Sequence, residues 1–260
     1  MNYIQKVLTV FFVIGFISIC VAHQSIAESN FQEIISKAEQ GDADAQYHLG
    51  SMYYSGEGVP HDDEQAIQWY TKAAEQGHVD AQYNLALMYK HGQGVLLNFK
   101  QTIQWYTKAA EQGDTMSQTN LGSMYKHGEG VLLDFKQVIQ WYTKAAEQGH
   151  VEAQFFLALM YKNGQGVPQD FKQAIQWYTK AAEQGDVDAQ YNLALMYKNG
   201  EGVLQDYMIA YAWFNLAAFQ GGELPRKNID IILERMTPSQ IEEGQKHSKE
   251  LYDKIYNRDK

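Results

Sequence analysis

The sequence predicts an all-α solenoid, in which similar helix pairs stack side by side. The first observation is an eleven-residue stretch, Ile-Gln-Trp-Tyr-Thr-Lys-Ala-Ala-Glu-Gln-Gly, that occurs four times without change. Its copies begin at Ile67, Ile103, Ile139 and Ile175, so they recur every 36 residues. A fixed period of this length is typical of chains whose repeats pack on their neighbours. The second observation is that apolar residues within each period have helical spacing.

The first 27 residues have the composition of a secretory signal peptide. Lys6 is their only charged residue, and the apolar run from Val7 to Val21 is short for a membrane span. Small residues near Ala27 predict cleavage there, so we expect an exported, periplasmic or secreted protein with no stable membrane span in the mature chain. Two alternatives stay open, an uncleaved N-terminal anchor and lipoprotein processing at Cys20.

Cysteine content and charge exclude some classes of function. Cys20 is the only cysteine, so the mature chain would have no disulfide and would be stable by packing alone. The formal net charge is −10. Because phosphates repel an acidic surface, nucleic acid is not an expected partner.

After the signal, residues 28–40 are predicted to form an N-terminal capping helix. Phe31, Ile34, Ile35 and Ala38 lie at helical spacing, and the segment ends like each later repeat. Five repeats of 36 residues then occupy residues 41–220. Residues 221–260 are expected to form C-terminal capping helices that give the last repeat a polar outer side.

The first helix of each repeat has an amphipathic stripe, as Ala81, Leu85, Met88 and Tyr89 show in the second repeat. It ends at a Gly-x-Gly sequence, where glycine allows left-handed backbone angles. A dinucleotide site would need a strand before such glycines. Since a helix precedes them here, they indicate a helix stop.

The second helix of each repeat is predicted to begin at an Asp or Asn N-cap. In the first four repeats a Gln three residues later matches a capping box. One position of this helix is always Trp, and three positions of the repeat are always small, which predicts large-into-small packing. The N-caps are Asp62, Asn98, Asp134, Asp170 and Asp206.

Together these residues resemble the Sel-one-like repeat family, which is related to tetratricopeptide repeats. The matching pattern is Ala-x-x-x-Leu-Gly/Ala-x-Met-Tyr-x-x-Gly-x-Gly-Val, followed by Asp, Ala/Ile, Trp-Tyr and Ala-Ala-x-x-Gly. The resemblance implies a right-handed superhelical α/α solenoid of helix-turn-helix repeats, with a concave face lined by the first helices. It also implies an exported scaffold or adaptor that binds a protein or peptide, and we expect a monomer. The alternatives are a structural component of the cell envelope and an enzyme-like relative that interacts with β-lactams.

The fifth repeat departs from the others, because an apolar stretch from Tyr211 to Leu216 replaces the repeated one. We expect it to pack against a helix from about Arg226 to Met236. A last helix is predicted to begin at Thr237-Pro238 and to end at about Tyr256.

No sequence pattern indicates catalysis, a cofactor or a metal. None of the eight histidines has metal-ligand spacing, and we expect them in loops and helix caps. The β-lactam-binding branch of the family has paired cysteines, which this chain lacks after Cys20. Lys72, Lys108, Lys144 and Lys180 are interpreted as surface partners of the glutamates three residues later.

Variable positions on the first helices are the candidate binding residues, because aromatic and amide side chains make adaptable contacts. The alternative is that the aromatic residues pack between repeats and the lysines form a solvated rim. The predicted partner-binding residues are Tyr47, Tyr83, Asn84, Lys90, Asn120, Lys126, Phe155, Phe156, Lys162, Tyr191, Asn192 and Lys198.

Overall fold

A computed structural model describes residues 31–257, and every regular element in that range is a helix. The chain divides into two compact units at Gln112 and Gly113. The all-α repeat architecture predicted from the sequence is therefore confirmed. The predicted signal at residues 1–27 lies outside the described residues, and so does the start of the N-terminal capping segment.

Unit 1 has an N-terminal helix and two helix pairs, each packed on the next along the chain. Its helices are α1 (residues 31–39), α2 (Ala43–Ser55), α3 (Asp63–Glu75), α4 (Val79–His91) and α5 (Phe99–Glu111).

Unit 2 has three helix pairs followed by two further helices, which pack on α11. Its helices are α6 (Thr115–His127), α7 (Phe135–Glu147), α8 (Val151–Asn163), α9 (Phe171–Ala182), α10 (Val187–Asn199), α11 (Tyr207–Phe219), α12 (Glu223–Leu233) and α13 (Pro238–Tyr256). Helix α12 begins three residues earlier than the sequence predicted, because Pro225 is accepted within its first turn. Helix α13 has the predicted N-cap Thr237, and Pro238 is its first residue.

The helix boundaries follow from the predicted caps. Asp134 at the start of α7 accepts a hydrogen bond from the Gln137 amide, and each second helix is capped in the same way. The glutamine side chain completes a capping box only in α13, among the helices of residues 31–257. At the other end, Gly164 stops α8 with a left-handed φ of 67°. The second glycine of this loop, Gly166, has φ of 74°, and a Cβ there would lie 2.5 Å from the Cβ of Phe135.

A ladder of glutamine side chains joins consecutive repeats within each unit. In unit 2, Gln154 is 3% exposed, and its Nε2 donates to the Ala146 carbonyl at the end of α7 over 3.0 Å. The Gln184 Nε2 in turn donates to the Gln154 Oε1 over 2.8 Å. Unit 1 has the same arrangement, with Gln82 bonded to Ala74 and Gln112. Gln112 and Gln184 are the second glutamine of the repeated eleven-residue stretch. These bonds explain why that glutamine does not vary.

The ladder ends at a tyrosine of the last helix. The Tyr256 hydroxyl accepts from Gln220 over 2.7 Å and from Gln190 over 3.1 Å. Helix α13 therefore covers the end of the ladder.

A second set of contacts joins the two helices of one repeat through a buried aromatic ring. In the first and third repeats the ring faces glycine, and a Cβ at Gly122 would lie within 2.4 Å of the Tyr142 ring. The residue after the glycine is serine, and it forms a hydrogen bond with the tyrosine. Tyr70 donates to Ser51 over 3.1 Å, and Tyr142 bonds Ser123.

The fourth and fifth repeats have a different pairing. There Ala158 and Ala194 replace the glycine, and Leu159 and Leu195 replace the serine. The buried hydroxyl of Tyr178 consequently has no hydrogen-bond partner, while the fifth repeat has Phe214, which needs none. Burial raises the pKa of both the Tyr142 and the Tyr178 hydroxyls above the ordinary tyrosine value.

The unequal hydroxyls give a first prediction. Tyr70→Phe should lower the free energy of unfolding by ~1 kcal/mol, because it removes the hydrogen bond to Ser51 and leaves that serine without its partner. Tyr178→Phe should leave stability unchanged or raise it, because its hydroxyl is buried and unpaired. Urea unfolding of both variants checks this, and an equal loss in both would contradict the assigned pairing.

The ladder gives a second prediction. Gln154→Met retains the length of the side chain but removes two buried hydrogen bonds, so it should destabilise the chain by about 1–3 kcal/mol. Gln176→Met, on the exposed side of α9, is the matched control and should change stability little. Urea unfolding again measures the effect. Equal destabilisation by the two variants would show that the hydrogen bonds of the ladder do not contribute to stability.

Candidate partner-binding face

Each first helix has a second, partly exposed side, and we call these sides, taken helix by helix, the first-helix face. It consists of the predicted binding residues together with Ser51 and Leu87 in unit 1, and Ser123, Leu159 and Leu195 in unit 2. The structure places all twelve predicted residues at intermediate exposure, neither buried nor fully open.

In unit 1 the aromatic residues of this face contact rings of the second helices. Tyr47 lies 5.8 Å from Tyr70 and stacks on His78 with a centroid distance of 4.5 Å. Tyr83 lies 5.8 Å from Tyr106. The interpretation of these tyrosines as packing residues therefore has support in their ring contacts.

Asn84 lies beside a small cavity in unit 1. The cavity has a volume of about 80 Å³, and Tyr54 and Leu87 are among its other lining residues. Asn84 also forms a hydrogen bond with the buried Tyr70. Lys90, six residues further along α4, is partly exposed.

In unit 2 the third and fourth repeats exchange an aromatic residue. Thr119 occupies the position of Tyr47, and Phe156 occupies the position of Asn84. Phe156 stacks on Tyr142 with a centroid distance of 5.5 Å and an interplanar angle of 16°. The ring that the third repeat lacks is thus supplied by the fourth repeat.

The lysines of this face in unit 2 each reach the following repeat or helix. The Lys126 Nζ lies 4.6 Å from the Phe156 ring centroid, and the Lys162 Nζ lies 4.0 Å from a Glu201 carboxylate oxygen. Lys198 donates to the Asn228 Oδ1 on α12 over 2.7 Å. These contacts favour a part in inter-repeat packing over a free row of positive charge.

Asn120 and Asn192 use their amides within their own helices, on the Met116 and Asp188 carbonyls over 2.9 Å. Phe155 lies 5.8 Å from Tyr178, and Tyr191 lies 5.7 Å from Phe214. The Asn228 amide also donates to the Tyr191 hydroxyl over 3.4 Å. Helix α12 therefore covers part of this face in the fifth repeat.

Leu87 and Leu159 lie on the same sequence stripe of the first helices as the twelve predicted binding residues. The signal for them is the alternation at this position, which reads Ser51, Leu87, Ser123, Leu159 and Leu195. Serine here has a packing function, since it bonds the buried tyrosine. Leucine at the same place is partly exposed, and in the fourth repeat it leaves the Tyr178 hydroxyl unpaired.

One interpretation of the outer surface is wrong. The four lysines of the repeated stretch do not form ion pairs with the glutamates three residues later in the described part of the chain. Instead each lies over the tryptophan three residues earlier, with the Lys72 Nζ 3.6 Å from the Trp69 ring centroid. A cation over an aromatic face is attracted by the ring quadrupole, so the pair is favourable without an acid.

The histidines include two helix caps. His78 and His150 replace aspartate at the N-caps of α4 and α8, and their Nδ1 atoms accept from the Ala81 and Ala153 amides. This confirms the expectation of cap positions for these two. Within residues 31–257 no group of three or more His, Cys, Asp or Glu side chains is arranged to hold a metal ion. None of the helices in this range is long and apolar enough to cross a bilayer.

Known proteins support the architecture. The family model described as Sel1 repeat matches residues 43–78, 79–114, 115–150, 151–186 and 187–222. A search among curated proteins found no match.

Two solved structures show the same fold. One is c5321, a protective antigen in uropathogenic Escherichia coli strains that displays an SLR fold, with 39% identity and a TM-score of 0.73. That alignment covers 86% of this chain and 48% of c5321, so the chain spans about half of that relative's length. The other is a Sel1 repeat protein from Oxalobacter formigenes, with 34% identity, a TM-score of 0.64, and coverage of 83% of this chain and 87% of that one.

The exchanged ring gives a third prediction. Phe156→Asn introduces the residue of the equivalent positions Asn84, Asn120 and Asn192, but should destabilise the chain by about 1–3 kcal/mol because the stack on Tyr142 is lost. Adding Thr119→Tyr should restore most of that stability, since it rebuilds the Tyr47 arrangement. Thermal unfolding by circular dichroism checks both variants. An unchanged melting temperature for Phe156→Asn would instead leave its ring available to a partner.

Proposed function

This chain belongs to the Sel1 repeat family, and from that premise we propose that it is an exported adaptor that binds a protein or peptide through its first-helix face. Sel1 repeats typically serve as scaffolds for interactions between proteins. Export rests on the composition of residues 1–27. The description of the similar c5321 as a protective antigen is consistent with export.

The observation that carries the proposal is the leucine at position 159, and Leu87 occupies the equivalent place in the second repeat. Packing favours serine at position 159, as the bond between Tyr70 and the equivalent Ser51 shows. Leu159 leaves the Tyr178 hydroxyl buried without a partner, which costs stability. It is also partly exposed, so part of its apolar surface stays in water. Leu159 is therefore unfavourable for the folded chain in two ways, and the fold alone does not explain its presence. An apolar contact with a partner would explain it.

The half-exposed aromatic rings support the same assignment. Tyr47, Tyr83 and Phe155 are held by ring contacts on one side and stay partly exposed on the other. Rings fixed in this way lose little conformational freedom on binding, which is the property of good interface anchors. The cavity beside Leu87 has the size of a single small side chain.

An exchange of leucine for the serine of the sibling repeats tests the proposal. The double variant Leu87→Ser and Leu159→Ser should fold normally, because serine at this position bonds the buried tyrosine in the first and third repeats. It should lose at least about tenfold in partner affinity, because each leucine is an apolar anchor. Crosslinking of the tagged, exported protein would identify the partner, and a pull-down would then compare the variant with the unchanged chain.

Two results decide the outcome. Unchanged partner capture by the double variant would exclude these leucines from the interface. Equal loss of capture in the surface control Gln176→Ala would show that the effect is not specific to this face. A structural envelope component, the second candidate, would show crosslinks to many proteins with none enriched.

A further inference from the structure

The second helix of the fifth repeat differs from its siblings at several outward positions, and three of these lie in its last two turns. Asn215 replaces a threonine, Leu216 replaces a lysine and Phe219 replaces a glutamate. In the other four repeats these positions are identical, so the fifth repeat alone has the change. The sibling glutamates are Glu75, Glu111, Glu147 and Glu183.

All three replaced positions line one cleft of unit 2. The cleft lies between α11, α12 and α13 and has a volume of about 550 Å³. This volume is within the range of ordinary ligand sites. The sequence change and the cleft therefore occur together.

Packing within the chain explains two of the three replacements. The Asn215 amide donates to the Ser248 Oγ of α13 over 2.7 Å. Leu216 is 1% exposed under the capping helices. Both residues fasten α13 to the last repeat.

Phe219 is not explained in this way. It is 68% exposed, and its ring contacts Tyr252 edge-on with a centroid distance of 5.1 Å. A phenylalanine that replaces a surface glutamate and remains two-thirds exposed does not serve the core. Its position at the cleft edge indicates an apolar contact with something that enters the cleft.

The charge of the cleft is opposite to that of the chain. Arg226 and Lys249 line it, no acidic residue does, and the whole chain has a net charge of −10. Neither cation has an ion-pair partner within 4.0 Å among the residues that the structure describes. Two available cations beside exposed rings suit a ligand that is apolar and negatively charged.

We propose that this cleft binds a peptide segment in which an aspartate or glutamate lies next to an aromatic or leucine side chain. The apolar side chain contacts Phe219 and Tyr252, and the carboxylate is bound by Arg226 and Lys249. Charge-assisted bonds of this kind give orientation as well as affinity. This site is separate from the first-helix face and does not depend on the function proposed for it.

Fluorescence polarisation of a labelled peptide tests the cleft. The probe has the sequence Gly-Ser-Asp-Phe-Gly-Ser, with an acetylated N-terminus and an amidated C-terminus. We expect saturable binding to the full chain that weakens at high salt, since salt screens exposed charges. A peptide with Asn for Asp should bind more weakly and lose the salt dependence, and one with Ala for Phe should not bind.

Phe219→Glu is the matched variant, because it introduces the residue of the four sibling repeats and should leave the fold intact. It should weaken probe binding by about tenfold or more. Arg226→Gln with Lys249→Gln should give a similar loss while circular dichroism stays unchanged. The double variant Leu87→Ser and Leu159→Ser should bind the probe normally, which separates this site from the first-helix face.

Three results would overturn the proposal. They are equal probe binding by Phe219→Glu, equal affinity for the Asp and Asn peptides, and no binding at millimolar protein concentration. Recovery of probe binding when Glu147→Phe is added to Phe219→Glu would also overturn it, because an exposed phenylalanine on an ordinary repeat would then be enough and the cleft would be unnecessary.

Discussion

The buried glutamine ladder is the interaction on which the stacking of these repeats depends. A solenoid repeat cannot bury its own apolar face, so every junction between repeats must be both apolar and satisfied in its hydrogen bonds. Gln154 meets both demands, because its stem is buried while its amide bonds the end of one helix and the glutamine of the next repeat. The polar bonds fix the register of the junction, and the alanines around them allow the helices to approach closely.

The repeats are nearly identical in sequence, and where they differ, two contacting positions change together. The second change compensates for the contact that the first one removes. In the first repeat glycine and serine accompany a tyrosine that bonds the serine, whereas in the fourth and fifth repeats alanine and leucine accompany the unpaired Tyr178 hydroxyl or Phe214. Thr119 lacks the ring of Tyr47, and Phe156 supplies it from the following repeat. His150, which would otherwise stack as His78 does, instead lies within hydrogen-bond distance of the Thr119 hydroxyl, at 3.2 Å. A side-chain change in one repeat is thus compensated by a change in the following repeat.

Residues that no compensation explains are the ones that we assign to binding. Leu159 leaves a buried hydroxyl unpaired and stays partly exposed, and Phe219 replaces a surface glutamate without becoming buried. By contrast, Lys126, Lys162 and Lys198 looked like a free row of charge in the sequence but contact the next repeat or helix. In a repeat protein the sibling repeats serve as internal controls, because they show what the scaffold alone requires at each position.

The sequence by itself determined the fold class, the number of repeats and the helix caps, because these depend on local signals. Periodicity, the aspartates before each second helix and the glycines after each first helix act over a few residues. The tertiary structure alone decided which side chains meet across helices. The lysines of the repeated stretch contact tryptophans and not glutamates. Tyr256 bonds the last glutamines of the ladder, including Gln190, which lies 66 residues earlier in the sequence. The tertiary structure also brought Arg226 and Lys249 to one cleft with Phe219. Such contacts depend on how three helices pack together. The spacing of residues along the sequence does not specify which side chains meet when those helices pack.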